Sequence, residues 1–87
     1  VDTFAEKNYV ELMDFDKELD AVGLLCPLPV LKARKWLQDM QPGQVLRLLA
    51  DDPAAIIDVP HYCNESGHEF LGSQDDGANQ VYLIRKT

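Results

Sequence analysis

Gly23-Leu24-Leu25-Cys26-Pro27-Leu28-Pro29-Val30-Leu31 joins a strand-like run to a helical one, with a cysteine at the junction. Proline suits the first helical position, because that N–H has no partner inside the helix. Pro27 there makes Cys26 the N-cap, and Pro29 still falls within the first turn, where proline does little harm. A thiol at a helix N-terminus meets the positive end of the dipole and unpaired amide hydrogens, which favour thiolate. A small buried residue that merely precedes a helix fits the same spacing, because free cysteine is among the most buried residue types.

Before this junction, Lys17 to Val22 alternates weakly and predicts a first strand. Gly23 then supplies a permissive backbone position for the turn. Residues 1–15 carry Phe4, Tyr9, Val10, Leu12 and Met13 on an acidic background, without a cap or a strong period. They read as an extension, flexible or loosely docked, ahead of a single folded unit over 16–87.

Beyond the junction, Val30, Ala33, Leu37 and Met40 recur at helical spacing, predicting a helix from Pro27 to Met40 with Trp36 on its flank. Leu28, Lys32 and Lys35 project on the opposite side, either as a solvated basic face or as a contact surface for a partner. Gln41-Pro42-Gly43-Gln44 stops the helix, and Val45–Ala50 reads as a central strand interrupted by Arg47. Asp52 as N-cap and Pro53 at the first helical position open a second helix. Its buried face is predicted to hold Ile56, Val59, Pro60 and Cys63, with a kink or break at Pro60 and a stop at Gly67. His68–Gln74 and Gln80–Lys86 predict two more strands, joined through Asp75-Asp76-Gly77-Ala78-Asn79. The order β-α-β-α-β-β implies a two-layer α/β (α+β) sandwich, with both helices on one face of a four-stranded mixed sheet.

Composition narrows the function. The 87 residues suit one small domain, and 46% apolar content suits a compact fold. No apolar run reaches membrane-spanning length, so no membrane partner is expected. Two cysteines and no recognisable secretory signal point to a reducing, cytoplasmic setting, and a monomer is the expected state for so small a unit. Net charge is −7, and residues 1–20 account for −5 of it. That balance argues against direct nucleic-acid binding, which rests on phosphate neutralisation by Lys and Arg, and favours a partner with a basic surface.

Few residues are candidates for chemistry. Cys26 leads, on a turn made rigid by Pro27 and Pro29; a chain this short builds no deep cleft, so a reactive thiol here would face another protein. Cys63, on the apolar face of the second helix, reads as structural. Cys26, His61, Cys63 and His68 are the right types for zinc but lack a paired C-x-x-C, so no metal or other cofactor is expected. Neither histidine is ordered toward Cys26 as a catalytic base would be. Arg47, Arg85 and the two lysines could bias a thiolate or simply be solvated.

Cys26-Pro27-Leu28-Pro29 resembles the C-P-x-P box of the TusA/SirA family of small sulfur carriers. The resemblance extends over about residues 18–87 through Leu19-Asp20-Ala21-Val22-Gly23-Leu24, Gln41-Pro42-Gly43, Ala50-Asp51-Asp52-Pro53-Ala54, Asp58-Val59-Pro60 with Cys63, Gly67-His68-Glu69 and Tyr82-Leu83-Ile84-Arg85-Lys86. It implies a fold similar to the C-terminal domain of translation initiation factor 3. The activity implied is sulfur carriage: a cysteine desulfurase passes persulfide sulfur to Cys26, which hands it to a downstream relay protein. The implied end point is 2-thiouridine in tRNA, or alternatively dissimilatory sulfur oxidation or cofactor supply. Such a carrier has a persulfide intermediate rather than stand-alone enzyme activity. Leu28 departs from the glutamate that TusA proteins often carry there. Two other classes remain as rivals: a regulatory interaction module using Leu28, Lys32 and Lys35, with the thiol incidental, and a structural zinc protein.

Overall fold

The structure, a computed structural model of the chain, describes residues 14–75 and 78–87. Among them run β1 (Lys17–Asp20), α1 (Leu28–Gln38), β2 (Val45–Ala50), α2 (Ala55–Ser66), β3 (Glu69–Asp75) and β4 (Gln80–Arg85). The four strands form one sheet in the order β1-β2-β4-β3. β1 pairs parallel with β2, whereas β4 is antiparallel to both β2 and β3, so the sheet is mixed as expected. The expected extension over 1–15 falls largely outside the described residues. From Asp16 the chain is fastened to β2: its N–H donates to the Val45 carbonyl, and its carboxylate accepts the Val45 N–H.

Alternation along the strands sends successive side chains to opposite faces. Leu46 and Leu48 of β2, with Tyr82 and Ile84 of β4, meet Ala33 and Leu37 of α1 and Ala55, Val59 and Cys63 of α2 in the main core. Val45, Val81 and Leu83 form a smaller apolar cluster on the other face, with Leu49 and Leu71 against it. Arg47 shares that face, paired with Glu18 at 3.1 Å and lying over the Phe15 ring. Arg85 pairs with Glu69.

Several local expectations shift. β1 ends at Asp20 rather than Val22, because the Asp20 carboxylate accepts the Val22 N–H and turns the chain. α1 starts at Leu28 with Pro27 as N-cap, so Cys26 lies outside the helix; the Cys26–Pro27 peptide is cis. At the far end of α1, the Lys86 ammonium donates to the Leu37 carbonyl, which also accepts the Met40 N–H, so a cation sits at the negative end of the helix.

α2 begins at Ala55 with Ala54 as N-cap, not at Pro53. Asp52 forms the preceding turn, its side chain accepting the Ala54 N–H and its carbonyl accepting the Ala55 N–H. The sheet-facing stripe of α2 is therefore Ala55, Val59 and Cys63, at four-residue spacing, which turns Ile56 outward to 52% exposure. Pro60 does not break the helix. The Ile56 carbonyl that Pro60 cannot serve belongs to an exposed residue, where water can take it. Gly67 ends α2 as expected, at φ 86° with its N–H on the Cys63 carbonyl; a left-handed C-cap of this kind favours glycine.

Leu37 is fully buried against the sheet, so Leu37→Ala is expected to lower unfolding free energy by about 2–5 kcal/mol in urea titration. Ile57→Ala, on the exposed side of α2, is expected to change it by less than about 0.5 kcal/mol.

Candidate functional site at Cys26

Parallel pairing puts the C-terminal ends of β1 and β2 side by side, so the turns that follow them are neighbours. Two consecutive acids join those turns. The Asp51 carboxylate accepts the Gly23 N–H at 2.9 Å, and the Asp52 carboxylate accepts the Cys26 N–H. Gly23 adopts φ 91°, which a side chain would oppose, while the Leu24 N–H closes the turn on the Ala21 carbonyl. Asp52 is almost wholly buried, and its two carboxylate oxygens are divided between Ala54 and Cys26.

Cys26 itself is exposed and free. Its thiol donates to Asp58 Oδ2, in the first turn of α2, at 2.6 Å. This hydrogen bond raises the thiol pKa above its ordinary value, and the charges of Asp58 and Asp52 act in the same direction. The expected bias toward thiolate at a helix N-terminus is thus reversed. The box itself explains why: Pro27 and Pro29 have no N–H to offer, and the Leu28 N–H is already held by the Leu25 carbonyl. Nearby acids then outweigh what remains of the dipole.

The other candidates disperse. Cys63 is 1% exposed in the core, and burial pushes its thiol up to about 11. His68 packs against the Tyr62 ring, and its Nδ1 accepts the Thr87 N–H. Burial lowers its pKa, and the Lys86 charge adds to the effect. Cys26 is partnered by a carboxylate rather than by an imidazole. Among the described residues, no three His, Cys, Asp or Glu side chains converge as metal ligands. Arg47 and Arg85 are engaged with Glu18 and Glu69. Leu28, Lys32 and Lys35 are all exposed, Leu28 beside the thiol in the chain. Leu25, next to Cys26 in the chain, is 68% exposed, and Ile57, the residue before Asp58, is 73% exposed. Two open depressions, one bounded by Trp36 and Met40 and the other by Arg34 and Tyr62, do not include Cys26.

Asp58 is the residue that sequence reasoning missed. An acid in the first turn of a helix is explained by the dipole alone, and its meeting with Cys26 spans 32 positions. A usable signal was present in helical phase, since Asp58 adjoins the Ala55–Val59 stripe instead of lying opposite it.

Iodoacetamide at neutral pH should label Cys26 and spare Cys63 in the native protein, with both labelled in denaturant, as read by peptide mass spectrometry. Labelling of Cys26 should climb only in the alkaline range, because a raised pKa leaves less thiolate at neutrality. Cys63 adds a stability signature. Its neutral form is favoured in the fold, so that contribution is complete below 9.0 and lost as pH rises toward about 11. Tm should fall across that window, and the fall should be shallower in Cys63→Ala.

Comparison with known proteins gives this geometry a context. The family model described as sulfurtransferase TusA matches residues 17–86. The sulfur carrier protein TusA of Allochromatium vinosum is 43% identical over 76 residues, spanning 87% of this chain and all of its own. The crystal structure of a SirA-like protein from Desulfitobacterium hafniense superimposes with a TM-score of 0.68 at 26% identity, covering 80% of this chain and 96% of that one. Fold, box and sequence similarity agree over the same span, and the chain belongs to the TusA family of sulfur carriers.

Proposed function

We propose that this protein carries sulfur as a persulfide on Cys26, loaded by a cysteine desulfurase and unloaded to a downstream relay protein. The reading rests on one observation above the others: the chain has two cysteines, and the fold exposes one while sealing the other in the core. A persulfide relay requires a thiol that two successive partners can reach, since each transfer is an attack by one cysteine sulfur on another. Leu25, Leu28 and Ile57 give such partners apolar area around the sulfur, and Lys32 and Lys35 extend the contact along the outer side of α1. Pro27 and Pro29 support the box by limiting the conformations of the backbone on either side of Leu28. The final destination we propose is 2-thiouridine in tRNA, reached through protein partners. The acidic balance of the chain suits protein contacts better than direct binding to RNA.

Incubation with a cysteine desulfurase and free cysteine should add one sulfur atom to the intact protein, removable by a thiol reductant and visible by mass spectrometry. Cys26→Ser should abolish the gain, and Cys63→Ala should keep it. Loading that persists in Cys26→Ser would overturn the assignment. Partner capture that is indifferent to Cys26→Ser, with no persulfide formed, would favour the interaction-module reading instead.

A further inference from the structure

Resting on that reading, the carboxylate against the Cys26 thiol calls for an explanation. Sulfur exchange proceeds through a thiolate, yet the fold places an acid where a base or a cation would activate the sulfur. The charged groups facing the thiol are Asp58 from α2 and Asp52 from the turn after β2. Asp52 is occupied by the Cys26 and Ala54 amides. Asp51 is held on the Gly23 amide, and α1 contributes no acid in its first turn. Asp58 alone of these three acids has an oxygen on the S–H itself.

We propose that Asp58 is a positioning residue for sulfur transfer at Cys26, holding the thiol and its proton in the unloaded carrier and relaying that proton when a donor docks. A carboxylate is ordinarily a far weaker base than a thiolate. The shared proton therefore stays on sulfur while the protein is alone, and the carrier is quiet toward adventitious electrophiles. A docked donor supplies what the resting pair lacks, a final acceptor for the proton. The Cys26 sulfur attacks the outer sulfur of the donor persulfide, forming a new S–S bond. The donor's own S–S bond breaks, and its electron pair leaves on the donor cysteine. The Cys26 proton passes to Asp58 and from there to the departing thiolate. In sum, R–S–SH and Cys26–SH become R–SH and Cys26–S–SH, with no oxidant or reductant consumed.

Restraint and relay predict opposite effects of one substitution. Asp58→Asn removes the charge and the proton acceptor but keeps the side-chain shape. Iodoacetamide should alkylate Cys26 in this variant several-fold faster than in the wild type at pH 7, with the midpoint of the pH–rate profile displaced downward. Loading by a saturating cysteine desulfurase should at the same time become several-fold slower. Glu65→Gln removes an equal charge from the exposed last turn of α2, and should move either rate by less than about twofold if the direct hydrogen bond is what matters. An unchanged alkylation midpoint in Asp58→Asn would overturn the restraint, and loading that accelerates together with alkylation would overturn the relay. If the wild-type protein takes up no sulfur, the carrier reading falls and the relay with it, while the alkylation profile still decides the restraint.

Discussion

The parallel pairing of β1 with β2 is the constraint on which the site depends. Parallel strands must be joined by a crossover, here α1, and both strands then send their following turns to the same end of the sheet. Two loops distant in sequence are brought edge to edge, and Asp51 and Asp52 join them through the amides of Gly23 and Cys26. These bonds give otherwise unpaired backbone donors of the turn their acceptors. They also place the first turn of α2 against the thiol, so Asp58 reaches Cys26 as a consequence of strand pairing. The second crossover, α2, carries the chain across β4 to β3 and covers the same face of the sheet.

The two cysteines show how environment separates identical side chains. Cys63 is kept neutral by burial alone, as a small apolar group in the stripe with Ala55 and Val59. Cys26 is exposed, and its thiol pKa is raised chiefly by a hydrogen bond to a carboxylate. The direction of the shift is the same and the reversibility is not. Releasing Cys63 requires opening the core, whereas releasing Cys26 requires only a change in what faces Asp58. Under the proposed relay, a carrier that meets one protein, leaves and meets another gains from a thiol that is accessible at all times and restrained in between.

The apolar run of Val45–Ala50, the strand pattern of Gln80–Lys86, the helical spacing of Ala33 and Leu37, and the breaks at Pro42–Gly43 and Gly67 made the architecture readable from sequence, because each reflects a local pattern or a local backbone requirement. Errors gathered at element ends and in helical phase. Pro27 and Asp52 both carry capping chemistry, but each belongs to a turn tied to another turn, and the helices start one and two residues later than local preference implies. Ile56 fits an apolar stripe as well as Ala55 does on spacing, and only contact with the sheet selects between them.

Cys26 was singled out by its local chemistry, and so was the structural part played by Cys63. Sequence alone also determined the order of elements and the layering of helices on one face, since these follow from periodicity and from the short connections available. The direction in which the thiol pKa moves was decided by tertiary structure. A helix N-terminus is a local feature and argues for thiolate; a carboxylate contributed from 32 residues away argues against it and prevails. The reason is physical: the dipole acts through amides that Pro27 and Pro29 do not possess, while Asp58 acts through a direct hydrogen bond that exists only once β1 and β2 are paired.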